Sequence, residues 1–139
     1  MQAADNARLS TTMRVIHGAF VAGVVLFAIV VYAIVRPQWT SEPLPRVAVT
    51  TLLGVSLAAS ALSLLFLRAR VPRRSTDESA DLFWTRASVP ALIAWAALEG
   101  AALLGIINYL LNGSTAALGT AAIALFGLIA LYPGQFERT

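Results

Sequence analysis

Four apolar stretches of membrane-spanning length, parted by short segments that carry nearly all the charge, constrain this chain more than any other feature. They run over residues 15–35, 47–67, 91–111 and about 113–132, and are called spans one to four below. About 20 residues at a rise of about 1.5 Å cross a hydrocarbon core of about 30 Å as a helix. Backbone amides in lipid must be satisfied within their own helix or in a closed barrel. No stretch alternates with a period of two, so helices are expected. The composition agrees, because only 12% of residues are charged against about 25% in an ordinary soluble domain. The expected fold is an all-α integral membrane protein, one domain of four transmembrane helices. With no cysteine in the chain, disulfides, thiol catalysis and cysteine-based zinc or iron–sulfur sites are excluded. The first stretch is too long for a signal-peptide core of about 7–15 residues and lacks a small-residue cleavage signature, so it is expected to be retained as a span.

The ten basic residues are all arginine. Arg8 and Arg14 precede span one; Arg68, Arg70, Arg73, Arg74 and Arg86 lie between spans two and three; Arg138 follows span four. Only Arg36 and Arg46 fall on the other side. By the positive-inside rule both termini and the central loop face the cytoplasm, in what is expected to be a bacterial inner membrane. The arginines are then expected to orient the helices and meet anionic headgroups, and no nucleic-acid partner is expected. Within the cytoplasmic loop 68–86, Ser75 and Glu78 have the spacing of a capping box. That spacing predicts a short interfacial helix from Ala80 to Arg86, with Leu82, Phe83 and Trp84 on the bilayer surface. Pro90 suits the first turn of span three, where its missing amide proton costs nothing. Asn112-Gly113 predicts a tight turn into span four.

Spans one and three superpose with an offset of 77 residues. Ile16 meets Ile93, Ala19 meets Ala96, Gly23 meets Gly100, Leu26 meets Leu103, Ile29 meets Ile106 and Tyr32 meets Tyr109. The spans are therefore expected to form two repeated hairpins, N-in and C-in. Helices associate in lipid through close backbone approach and polar contacts. The packing residues expected from small-residue spacing are Gly23, Gly54, Ala58, Gly100, Ala101 and Gly105. Ser56, Ala59, Ser60 and Ser63 add to span two, Ala97 to span three, and Ala117, Ala121 and Gly127 to span four.

One carboxylate interrupts the spans. Glu99 lies about 12 Å into span three at helical rise, near mid-membrane. An ionisable group at that depth is a functional-site hypothesis by default, and no arginine lies there to balance it. Two roles are open: a proton or ion site, or a carboxyl hydrogen-bonded to a hydroxyl or carbonyl on span two or four. His17 lies one turn in from Arg14 and is expected to be hydrated or bonded to a headgroup; the alternative is axial ligation of haem or chlorophyll. Its depth differs from that of Glu99, so the two are not expected to pair. Trp95 is read as packing beside Glu99, and Tyr32, Asn108 and Tyr109 as interfacial anchors. No hydrolytic triad, phosphate loop or metal cluster is present in the sequence, so no enzyme activity and no bound cofactor are expected.

Two resemblances follow from these residues. The stretch 94–111 (AWAALEGAALLGIINYLL) resembles the carboxylate helix of ATP synthase proteolipids, with Glu99 followed six positions later by Gly105. That resemblance implies a proton or sodium site at Glu99, although span two lacks the family's glycine stripe and the loop is longer. Ile16-His17-Gly18-Ala19, Trp95-Ala96-Ala97-Leu98-Glu99-Gly100 and Leu110-Leu111-Asn112-Gly113 together resemble a group of short, uncharacterised four-span bacterial membrane proteins. The expected function is a small, non-catalytic accessory subunit of a larger energy-transducing membrane complex, with other transmembrane subunits as partners. A proteolipid-like carrier using Glu99 is the alternative, and pigment ligation through His17 a further one.

Overall fold

The structure, a computed structural model, describes residues 8–40, 42 and 44–137. Arg138, counted above among the orienting arginines, lies outside the described residues. Every regular element among them is helical. Helix α1 (Arg8–Val30) continues through a π-helical turn (Val31–Val35) and a 3-10 turn (Arg36–Gln38), ending as Trp39 becomes extended. Helix α2 (Arg46–Leu62) starts directly behind Pro45. It widens into a π-helical turn over Ser63–Leu67 and closes with Arg68–Arg70. Val71 is extended, as a residue before proline prefers. Helix α3 (Ala80–Asn112) is the longest at 33 residues, α4 (Thr115–Ala130) has 16, and α5 (Pro133–Phe136) is a single turn.

Three of these helices, counted through their terminal turns, are long and apolar enough to cross a membrane: Arg8–Gln38, Arg46–Arg70 and Ala80–Asn112. The fourth expected span corresponds to the shorter α4. Large side chains such as Val15, Leu26, Leu65 and Phe126 are more than 60% exposed. Such extensive outward apolar surface is foreign to a soluble monomer.

The loop between α2 and α3 corrects two expectations. Ser75 and Glu78 close a turn, with the Ser75 amide donating to the Glu78 carboxylate at 3.2 Å, but no helix starts there. Ser79 caps α3 instead, its hydroxyl accepting from the Leu82 amide at 3.3 Å. The expected interfacial helix is the first part of α3 itself, and Pro90 lies in the helix interior rather than in its first turn. The proline removes one amide donor, and membrane helices tolerate that loss where neighbours pack around it. Leu82 is exposed as expected, whereas Phe83 and Trp84 are fully buried. The C-terminal segment folds over them, and the Phe136 ring stands 6.4 Å from that of Trp84.

Helix α3 is the centre of the bundle. Of its most apolar stretch 44% is buried, against 17% for α2 and 11% for α1. Contacts along α1 and α3 advance together. Ser10 meets Asp81, the His17 ring lies 5.0 Å from Trp95, and the Tyr32 ring stacks 6.1 Å from Tyr109. The two helices are therefore parallel, in nearly the register of the sequence repeat. Tyr32 and Tyr109, paired in that repeat, are neighbours in space. Helix α2 runs antiparallel to α3, joined by hydroxyls of Ser56 to the Ala101 carbonyl and Ser63 to the Ala94 carbonyl, both at 2.8 Å. Asn108 extends this seam by donating to the Val49 carbonyl at 3.2 Å. Fully buried, it is a tie between helices and not the interfacial anchor expected.

Small residues mark the closest approach, on fewer positions than their spacing implies. A Cβ on Gly105 would stand 2.8 Å from the Ala121 nitrogen and 2.9 Å from the Ala117 carbonyl oxygen, so α3 and α4 touch backbone to backbone. Ala101 is buried on the α2 side of α3. Gly54 and Gly100 meet open space, and Ala58 is exposed. No close backbone approach is made at Gly54 or Gly100 within the chain. The serine face of α2, about half a turn away, packs instead, because a hydroxyl can satisfy a carbonyl across the seam. Ser63→Ala is expected to cost about 1 kcal/mol, the usual worth of an interhelical hydrogen bond in a membrane protein. Thermal unfolding in detergent measures it.

Candidate functional site

The middle residue of Arg8–Gln38 is Gly23, and Glu99 of α3 lies beside it. A Cβ on Gly23 would lie 3.7 Å from Glu99 Oε1. Below that point Glu99, with Ile16, Ala19 and Phe20 of α1, lines a shallow cavity of about 260 Å³ between α1 and α3. Glu99 is partly exposed there and makes no hydrogen bond or ion pair among the described residues. The expected bond to a hydroxyl or carbonyl on span two or four is not made. The reason is rotational: α3 turns its Ala94, Leu98, Ala101 and Gly105 side toward α2 and α4, which leaves Glu99 on the α1 side. Trp95, one turn earlier, is fully buried against His17, Trp84 and the Leu131 carbonyl.

His17 is 5% exposed, not hydrated at a headgroup as expected. Its Nε2 donates to the Leu128 carbonyl at 2.9 Å, and its ring is held edge-on by Trp95 at 5.0 Å and Tyr132 at 5.8 Å. Trp95 Nε1 donates to the Leu131 carbonyl at 2.9 Å. The last carbonyls of a helix have no partner within it, and where buried they need one from elsewhere in the protein. His17 and Trp95 cap the end of α4. Nε2, the usual axial donor to haem, is thus engaged, and the packed ring has no open side for a tetrapyrrole, so these residues do not fit that group. The structure does not bring His17 and Glu99 together: His17 meets Trp95 and the Leu128 carbonyl, whereas Glu99 lies beside Ile16, Ala19, Phe20 and Gly23.

The densest polar cluster was not legible in the sequence. Glu137, just beyond α5, accepts from the Ser10 hydroxyl at 2.6 Å, Arg14 Nη2 at 2.6 Å and Trp84 Nε1 at 2.8 Å. Its own carbonyl accepts from Arg74 at 3.2 Å. One residue thereby joins α1, α3 and the central loop to the C-terminal segment. Burial pushes its carboxyl pKa up, but the hydrogen bonds from Ser10, Trp84 and Arg14, with the charge of Arg14, outweigh burial and hold it below the ordinary value. Beside it, Asp81 accepts from the Ser10 amide at 3.1 Å, in the first turn of α1. Arg86 grips Glu78 with two hydrogen bonds of 2.9 and 2.7 Å. Chiefly through those bonds the Glu78 carboxyl also lies below its ordinary value. Several arginines assigned to headgroups thus hold the protein to itself.

Among the described residues no group of three or more histidine, aspartate or glutamate side chains is placed to hold a metal ion. Compared with known proteins, the chain matches no family model, no curated protein and no solved structure.

Proposed function

We propose that this chain is a small, non-catalytic transmembrane subunit of a larger energy-transducing assembly in a bacterial inner membrane. In this reading four helices cross as two hairpins, with both termini and the central loop in the cytoplasm, and a transmembrane helix of a partner subunit occupies the groove between α1 and α3. The observation that carries the reading is Glu99: a carboxyl level with the middle of α1, opening outward, with no partner of its own among the described residues. A polar group at that depth calls for a donor or cation from outside the chain. The exposed Gly54 and Ala58 and the half-buried Gly100 offer further places of close backbone approach.

A second reading is favoured by the same groove. A carboxyl beside a glycine on a parallel helix, reached from the lipid side, suits a proton or ion carrier of the kind that the proteolipid resemblance implies. One preparation separates the two. Purified in mild detergent, the wild-type protein is expected to bring down a stoichiometric membrane partner, with recovery about tenfold lower for Glu99→Leu, the loss of one buried polar contact of about 1.4 kcal/mol. A lone, monodisperse protein that conducts protons after reconstitution overturns the subunit reading. Loss of that flux in Glu99→Gln, with pH-dependent carbodiimide labelling of Glu99, then establishes the carrier.

A further inference from the structure

A cavity larger than the one beside Glu99 lies where the C-terminal segment meets α2 and the central loop. It measures about 560 Å³ and is bounded by Leu64 and Leu65 of α2, Arg68 and Arg73 at the start of the central loop, and Gln135 and Phe136 of α5. Arg14, Arg74 and Arg86 are drawn into bonds with Glu137 and Glu78. The guanidinium groups of Arg68 and Arg73 are exposed and have no partner among the described residues. No acidic side chain lines the cavity, and Glu78 and Glu137 are held by other arginines. The wall is therefore cationic at the mouth and apolar below.

The order of these residues along α2 gives the cavity its direction. Leu65 and Phe66 are 69% and 63% exposed, so this face of the helix looks out into lipid. Leu64 and Arg68 are four residues apart and share a face, within the wider π-helical turn and the turn that follows it. Hydrocarbon, cation and water thus succeed one another within about two turns of helix. That is the profile of a phospholipid molecule at the edge of a bilayer.

We infer that this cavity is a binding site for the phosphodiester headgroup of an anionic phospholipid, with Arg68 and Arg73 clasping the phosphate and an acyl chain lying along Leu65. Arginine pairs with phosphate oxygens through two parallel N–H donors, and basic pockets at the inner ends of transmembrane helices take anionic headgroups. The inference requires only that the helices span a bilayer. It is independent of Glu99 and of any partner subunit.

The test uses the full chain, delipidated in a neutral detergent, with native mass spectrometry and thermal unfolding as readouts. Phosphatidylglycerol and phosphatidylcholine are added separately, and inorganic phosphate in a third arm. Phosphatidylglycerol is expected to bind at one molecule per chain and to raise the unfolding midpoint, with phosphatidylcholine and inorganic phosphate doing neither. Arg68→Gln with Arg73→Gln is expected to weaken that binding about tenfold or more, through loss of two basic contacts to phosphate. Arg46→Gln, at the opposite end, leaves it unchanged. Equal binding of the two lipids by wild-type protein overturns the site as one for anionic headgroups. Saturable binding of inorganic phosphate reassigns it to a soluble anion and overturns the lipid proposal, as does full retention of phosphatidylglycerol by the double variant.

Discussion

Glu137→Ala is expected to lower the stability of the detergent-solubilised protein by about 2–4 kcal/mol, since it strips a buried indole and two further donors of one shared acceptor. Trp84 is fully buried, so its Nε1 gains no water in exchange. Ser10 and Arg14 lose their acceptors at the same time, and with them the N-terminal end of α1 loses its attachment to the C-terminal segment. Glu137→Gln keeps an acceptor oxygen for Ser10 and Trp84 and gives up only the charge opposite a half-exposed arginine, so it is expected to cost less than half as much. The pH dependence follows from the lowered carboxyl pKa. A group titrating lower in the folded than in the unfolded protein stabilises fully above its unfolded value. That contribution is intact above about pH 4.5, the ordinary value, and is lost as the pH falls through the lower folded one. Thermal unfolding below pH 5 should show the decline in wild-type protein and a flatter curve in Glu137→Gln. Equal slopes in the two proteins would remove Glu137 as the source.

The other large effect is expected at Gly105. Its Cα lies against the backbone of α4, with the Ala121 nitrogen, the Ala117 oxygen and the Ala121 Cβ all within 2.9 Å of where a side chain would begin. Backbone atoms of a packed helix cannot swing aside as a side-chain end can. Gly105→Ala is expected to cost about 1–3 kcal/mol by overpacking, and Gly105→Val to prevent recovery of folded protein. Gly100→Ala, where nothing stands within 4 Å, is the control. It is expected to change stability by no more than about 0.5 kcal/mol. Size-exclusion profiles and unfolding midpoints of the three variants distinguish a specific contact from a general intolerance of substituted glycine.

The apolar stretches and their direction relative to one another were legible because hydrophobic period and repeat offset are local properties of a string. The 77-residue offset that aligns Tyr32 with Tyr109 proved close to the register in which α1 and α3 pack. What could not be read was rotation. Gly54 and Ala58 have the spacing of a packing stripe, yet the neighbouring helix lies against Ser56, Ser60 and Ser63. Glu99 stands level with Gly23 of the first helix, but its bearing around the α3 axis depends on which face of α3 the other helices occupy. Partners brought together by distant loops were equally hidden. His17 caps a helix 111 residues away, and a glutamate near the end of the chain looks like part of a solvated tail until Trp84 is found beneath it. In the sequence, Leu82, Phe83 and Trp84 form one apolar cluster with no sign that the last two are covered.

The brevity of α4 bears on the surroundings of the protein. Sixteen helical residues reach about 24 Å, short of a bilayer interior of about 30 Å, while α3 beside it is twice that length. In the proposed four-span arrangement, lipids flanking Ile123 and Phe126 would compress or splay to meet the helix ends, at fractions of a kcal/mol per ångström. Membranes made of shorter fatty acids would hold the molecule with less elastic distortion than thick ones, so acyl-chain length becomes a variable in any reconstitution of this protein.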